Sequence, residues 1–396
     1  MLPLDCGLAF DTARDAEFFV ALPPRPAVFL IEPREAAAEP YLLRTADLRR
    51  RAERLLLPAE APSKRLNLRS FAAGVRYRLT GSAFEQSLAF YQHARQMFPR
   101  RYRDLARLRR PVLMKVNLAN EYPRCYVIRR ILADNAFYFG PFHSRRGAEA
   151  FAGEFLNFFK VRRCQIKIRR DPEFPGCIYS EMKMCLAPCF AGCSKEEYNA
   201  EVTRLVTTLA TSGAALEEEL EREREAASEA LDYERASAVH KRLEKLAGVL
   251  RVLPGLPRQV DELNAVVLQP AAEDGAVAVF GVRGGFIADP LVLRFGELAS
   301  QPRSVEEILR ENLSAQSRAP ETTGDARQMN EQRGEHLSLL ARWFYSKPRT
   351  GEIFFPQATR HGLDWPYRRI IRACSRILAP PLVLEPDAPR PEPPKV

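Results

Sequence analysis

The chain has 396 residues, 46% hydrophobic and 28% charged, with a formal net charge of +10 at neutral pH. That is ordinary globular usage, long enough for two or three domains. It contains no run of 18 apolar residues, which excludes a membrane-crossing helix.

The first twenty residues carry early acids and no basic start, so a signal peptide is not expected and a cytoplasmic location is. Most of the 60 basic residues are arginine. Arginine forks onto phosphates and stacks on bases, which points to a polyanion partner, in particular nucleic acid. The bland alternative is an arginine bias of the genome.

Residues 1–25, ending in LPPRPA, read as a leading loop. Two short apolar runs, 27–32 and 41–45, predict strands. Asp47 can cap a helix in which Leu48, Ala52, Leu55 and Leu56 recur at helical spacing. VRYRLT (75–80) alternates like a strand, and a helix should run from Ala83 to Met97, stopped before Pro99. The result is a β-β-α-β-α unit ending near residue 100. The stretch Arg95–Arg110 then holds seven arginines against one aspartate.

Three strand-like runs come next (PVLMKVNL, RCYVIRRI and AFYFGPF), then a helix over 145–159 and a cysteine-rich loop, 164–193. Residues 195–251 predict one or two exposed helices with a narrow apolar stripe among dense mixed charge. A strand meander is expected over 261–296, with turns at Asp274-Gly275 and Gly284-Gly285. Residues 298–330 are polar and expected to be mobile. EHLSLLARWFY reads as a helix, EIFFP as a strand, YRRIIRACSRIL as a helix, and the Pro-rich tail as disordered. The chain contains no internal repeat.

The cysteine spacing is Cys164-x12-Cys177-x7-Cys185-x3-Cys189-x3-Cys193. In a reducing compartment this is not a disulfide framework. Structural zinc usually draws on knuckles of two to four residues, and only the last three cysteines are that close. Four thiolates gathered from an irregular loop suit a 4Fe–4S cluster at least as well, with zinc as the alternative.

CIYSEMKMCLAPC (177–189) resembles the cysteine signature of the UvrC family of excinuclease ABC proteins. EYPRCYVIRRI and AFYFGPF (121–142), down to Tyr138-Phe139-Gly140-Pro141, resemble the same family's preceding segment, and LDYERASAVHKRLEKL (231–246) resembles its UVR motif. The meander and GEIFFP resemble more weakly the family's region beyond that motif, so the likeness covers roughly residues 20 to 360. It implies an iron–sulfur cluster on Cys164, Cys177, Cys185 and Cys189, with Cys193 outside the pattern. It also implies a helical hairpin that pairs with the family's helicase partner, UvrB, through Leu231, Tyr233, Ala236, Leu243 and Leu246. A hairpin with one apolar stripe cannot bury it alone, so a second hairpin would complete the bundle. His240 and Lys241 depart from the family's usual residues there. A generic coiled-coil spacer or self-dimer is the alternative.

The family's first domain is a GIY-YIG nuclease, which the β-β-α-β-α order resembles. Its site is implied to need tyrosine hydroxyls, an arginine and a carboxylate that holds Mg²⁺. Here Phe29 stands where a tyrosine is expected, and Leu43 where a glycine is. Tyr41 and Arg51 keep the positions of an active tyrosine and the active arginine. The metal-binding glutamate position falls on Phe90. Glu85 is five residues away, about 140° around a helix and ~7.5 Å along it. His93 is one turn away, and a neutral imidazole is a poor Mg²⁺ ligand. Mg²⁺ is therefore expected only if the nuclease is active. No strand like that of the family's RNase H-like nuclease is found after residue 300.

The expected fold is a multidomain α+β chain. It comprises a degenerate GIY-YIG-like domain (20–105), a segment with the cysteine cluster (106–200), a UVR hairpin (201–252), an α/β region (258–380) and a disordered tail (381–396). The expected function is a DNA-binding component of nucleotide excision repair with a UvrB-like partner, accessory or regulatory because its incision site is worn. Arg49, Arg50, Arg100, Arg101, Arg129 and Arg130 should contact phosphates. The alternatives are an active GIY-YIG endonuclease making one incision, and a redox-responsive iron–sulfur DNA-binding protein.

Overall fold

The computed structural model describes residues 1–58, 65–298, 302–315, 325–360 and 362–379. The leading residues are not a loop. They form strand β1 (Cys6–Ala9) and helix α1 (Asp15–Ala21). Both are short, and β1 draws its stability from antiparallel pairing with a strand seventy residues away, so local pattern does not reveal it. Strands β2 (Ala27–Pro33) and β3 (Tyr41–Thr45), helix α2 (Leu48–Leu56), β4 (Ala72–Leu79) and α3 (Ala83–Met97) follow as their patterns predict. Asp47 caps α2 by accepting from the Arg50 amide at 2.9 Å.

The sheet order is β1-β4-β2-β3. Central strand β2 is apolar on both faces because both are covered. Phe29 and Ile31 join the core under α1 and α2, whereas Val28 and Leu30 join the core under α3.

A one-turn helix α4 (Tyr102–Leu105) leads to β5 (Val112–Val116), β6 (Cys125–Ile128), β7 (Phe137–Phe142) and α5 (Arg145–Phe155). Strand β5 lies between β6 and β7. The glycine of the Phe-Gly-Pro run is required by its place. Gly140 has φ +153°, and a Cβ there would stand 2.7 Å from Leu113 Cδ2 and 3.1 Å from the Val112 carbonyl oxygen. Gly140→Ala is therefore expected to cost about 2 kcal/mol, read as a lowered urea midpoint at unchanged m-value. The cysteine loop holds the one-turn helix α6 (Ile178–Glu181) and a 3-10 turn at Pro188–Phe190.

The polar helical tract is three helices, not one or two: α7 (Lys195–Ala210), α8 (Ala214–Glu229) and α9 (Tyr233–Arg251). Ser194 and Glu197 form a capping box that starts α7, and helices α8 and α9 make an antiparallel hairpin. The stripe is already covered within the chain. Leu216, Leu220, Val239, Leu246 and Val249 share one core with Met114, Phe139 and Phe155.

Strand β8 (Arg258–Gln259) returns to pair with β7, placing Arg258 opposite Gly140. Strands β9 (Ala265–Pro270), β10 (Ala276–Arg283), β11 (Phe286–Ile287) and β12 (Leu291–Arg294) form the expected meander. Helices α10 (Phe295–Leu298), α11 (Val305–Ala315) and α12 (Ala326–Phe344) come next, then β13 (Glu352–Phe354), β14 (Gln357–Thr359), β15 (Gly362–Asp364) and α13 (Tyr367–Leu378).

The segment expected to be mobile thus contains α11, with Leu309 and Leu313 buried beside Ile370 and Cys374. The tail 381–396 lies outside the described residues. Every pairing between described strands is antiparallel, as an α+β fold requires. No described helix is long and apolar enough to cross a membrane.

The first and last parts of the chain share one core. The Phe84 ring meets Phe280 edge-on at 5.0 Å and Trp343 at 5.4 Å. Beside them Glu335, only 7% exposed, accepts from Tyr91 Oη at 2.7 Å, Tyr102 Oη at 2.6 Å and Arg103 Nε at 2.9 Å.

Candidate nucleic-acid interface and cysteine site

The residues of the nuclease-like frame do not converge. Pleating sends Tyr41 and Leu43 to the α2 face of β3, and Leu42 and Arg44 to the α3 face. Tyr41 is exposed and packs edge-on against Phe71 at 5.1 Å. Arg51, half-buried, is on α2 on that side of the sheet. Phe90 is buried on the other side, and the Arg44 guanidinium lies over its ring at 5.4 Å. Arg44 also donates to Ser87 Oγ at 3.3 Å. Burial, and then the charge of Arg107, pull the Arg44 pKa down. Where the resemblance implies a carboxylate holding a cation, the chain lays a side-chain cation on an aromatic ring.

Neither neighbour of Phe90 substitutes for the carboxylate. Glu85 is buried and accepts from the Gly81 amide at 3.0 Å and Arg78 Nη2 at 3.2 Å. Its pKa is raised chiefly by burial, against the pull of those two bonds. His93 is buried, with Nε2 donating to the Leu2 carbonyl at 2.8 Å, and burial lowers its pKa. Phe29 is fully buried and pairs with Leu43 and Tyr77 in register.

The arginines divide into engaged and open ones. Arg49 spends its head group inside the chain, donating to the Leu22 carbonyl at 2.7 Å and the Val20 carbonyl at 2.9 Å, which ties α2 to the end of α1. Arg50 and Arg100 are exposed. Arg101 is ion-paired with Glu39 and lies over Phe98 at 4.9 Å.

Arg129 and Arg130 come together with Arg103, Arg109, Arg110 and Arg327 around a cleft of about 470 Å³. A buried network fixes the loop that carries Arg129 and Arg130. Lys115 is ion-paired with Asp134, Tyr138 Oη donates to Asp134 Oδ1 at 3.0 Å, and the Leu132 amide donates to Tyr138 Oη at 2.9 Å. Burial opposes the Lys115 charge most strongly, but the bond to Asp134 together with the charges of Tyr138, Tyr126 and Asp134 outweighs it and holds the ammonium pKa above its usual value. On the far wall Asn330 Nδ2 donates to the Leu132 carbonyl at 3.1 Å.

In the cysteine loop, Cys164, Cys177 and Cys185 are half-buried and Cys189 is buried. Burial, then the nearby Cys164, Cys189 and Cys177, push the Cys185 thiol up to about 11, against a bond from the Ala187 amide at 3.3 Å. Burial likewise raises Cys189, with Cys177 and Cys164 adding to it. Arg162 Nη1 reaches Cys164 Sγ at 3.8 Å. These four thiols therefore occupy one neighbourhood. Yet among the described residues no three His, Cys, Asp or Glu side chains converge closely enough to hold a single metal ion. Cys193 is different: it sits in the core with Tyr198 and Phe159, and Cys189 is the one cysteine whose charge reaches it.

This loop and the sheet beneath it fall within residues 112–208, which match the family model for the UvrC/Cho excinuclease middle domain. That match makes residues 112–208 a UvrC-type middle domain. The chain is 25% identical over 304 residues to the UvrABC system protein C of Methanothermobacter thermautotrophicus, covering 76% of this chain and 50% of that one. Against the UvrABC system protein C of Desulfatibacillum aliphaticivorans the figures are 24% over 231 residues, 58% and 37%. Against that of Gemmatimonas aurantiaca they are 30% over 173 residues, 43% and 28%. The chain thus spans half or less of the length of these relatives. No solved structure matches it.

Of the UVR-like residues, Leu231 (69% exposed) and Tyr233 (70%) stand open at the hairpin tip. Leu231 takes φ +58°, unusual for a branched side chain. Ala236 and Leu243 are half-buried, and Leu246 is buried within the chain. His240 faces Glu244 at 3.7 Å and Lys241 is exposed. Sequence reasoning missed Arg44 and Arg327. Arg44 was readable, since alternation with Leu42 directs it toward α3. Arg327 reaches the cleft through tertiary packing, which leaves no local signal.

Proposed function

We propose that the chain is a DNA-binding component of nucleotide excision repair that does not itself incise. The observation that carries this is Arg44 over Phe90. Without an oxygen ligand there, Mg²⁺ has no seat, and the several kcal/mol that a Lewis acid removes from phosphodiester hydrolysis are lost. The separation of Tyr41 and Arg51 from Phe90 by the sheet supports the same reading, because such catalysis requires the groups on one surface. The expected result is that supercoiled plasmid treated with the chain in Mg²⁺ or Mn²⁺ shows no nicking above a protein-free control. Nicking that disappears in Tyr41→Phe or Arg51→Ala would show instead an active endonuclease.

The shared neighbourhood of Cys164, Cys177, Cys185 and Cys189 supports a 4Fe–4S cluster over a single zinc, since a cluster spreads its four thiolates around several irons. When bound, such a cluster supplies one-electron chemistry and a covalent pin for the loop. Arg162 and the Ala187 amide would donate to its sulfurs. The exposed Leu231 and Tyr233, with Ala236 and Leu243 behind them, support a UvrB-like partner at the hairpin tip. Leu246 would join that contact only if the hairpin swung away from the middle core.

A further inference from the structure

We propose that the cleft between α4, the loop after β6, and α12 holds one or two nucleotides of single-stranded DNA, a reading that rests on the chain being a DNA binder. Six arginines line it against two glutamates, Glu331 and Glu335, and both of those are already ion-paired with Arg103. Among the described residues no carboxylate lies within ion-pair distance of Arg109, Arg110, Arg129, Arg130 or Arg327. Guanidiniums left without counter-charge around a concavity make an anion site, and their planes also stack on bases.

Shape selects among polyanions. A volume near 470 Å³ is that of a small-ligand pocket. A duplex keeps its bases inside and would meet the arginine rim alone. An unstacked nucleotide can also lay its base on the apolar floor of Pro111, Ile131 and Leu132. The walls are set before binding: Lys115, Asp134 and Tyr138 fix one, and the Arg103–Glu335 bond fixes the other. Ordering them on binding therefore costs little.

The test uses the full chain and fluorescence anisotropy. A 12-nucleotide oligothymidine and a 12-base-pair duplex are titrated over a salt series. Arg129→Ala/Arg130→Ala should weaken single-strand binding about 100-fold and shrink its log–log salt slope by about 1.4. Arg327→Ala should weaken it about 10-fold, and in either variant the duplex, which meets only the rim, should lose at least about threefold less than the single strand. Arg14→Ala/Arg146→Ala removes the same charge outside the cleft and should leave both affinities within about threefold. Equal losses in this control, or equal losses for the duplex, would overturn the assignment. Wild-type chain that binds neither probe overturns the DNA-binding reading as well. Wild-type chain that binds, with the cleft variants unaffected, overturns the cleft alone.

Discussion

Glu335→Ala is expected to lower stability by about 3 kcal/mol, because it leaves buried donors without an acceptor. One carboxylate satisfies Tyr91, Tyr102 and Arg103 together, bridging α3 and α4 to α12. Burial first, and then this carboxylate, hold both phenols protonated; Tyr102 is pushed up to about 12 and Tyr91 further. Alanine strands two hydroxyls, each worth about 1–3 kcal/mol when unsatisfied. Arg103 adds little to the loss, since it is nearly half exposed and keeps Glu331. Glu335→Gln keeps the acceptor and gives up the charge, so about 1 kcal/mol is expected. Urea midpoints should rank wild type, Gln, Ala; coincident midpoints for wild type and Ala would mean the bridge contributes nothing to stability.

The second large effect concerns the loop thiols. Cys185→Ser is expected to bring iron and acid-labile sulfide in the anaerobically purified chain down to background, while Cys193→Ser leaves both intact. Cys185 feels three other cysteines, whereas Cys193 is locked in the middle core and neighbours one. Serine cannot supply the thiolate a soft iron–sulfide centre prefers. Zinc without sulfide in the wild-type chain would replace the cluster reading, and metal lost equally from both variants would remove the distinction between the two cysteines.

Much of this was legible from local pattern. Strand β2 reads as a buried strand because AVFLI is apolar throughout, and α2 because Leu48, Ala52, Leu55 and Leu56 recur under an Asp cap. The cysteines were grouped by spacing, and the arginine-rich stretch by composition. What escaped depended on distant partners. Strand β1 exists because β4 offers it an edge.

The hairpin stripe pointed to a second molecule, yet α5 of the same chain already packs on α9, with Leu246 inside the shared core, a choice amphipathicity cannot make. Helix α11 was within reach and overlooked. Ser304 and Glu307 form the S-x-x-E box that opens it, with Ser304 Oγ accepting from the Glu307 amide at 3.2 Å and Glu307 Oε2 accepting from the Ser304 amide at 2.8 Å. The departures at Phe29, Leu43 and Phe90 from the nuclease pattern could be read residue by residue, but the placement of Tyr41 and Phe90 on opposite sides of the sheet could not.

The core shared by Val28, Leu30 and Phe84 with Phe280, Leu337 and Trp343 also has a meaning for synthesis. The first sheet leaves the ribosome with α3 to cover it but with the outer side of α3, including Phe84, still bare, and α12, which packs there, is about 250 residues behind. At roughly 5–20 residues per second that interval is about 10–50 s. For that time the newborn chain carries an open apolar face, and the core around α3 is completed only when α12 arrives.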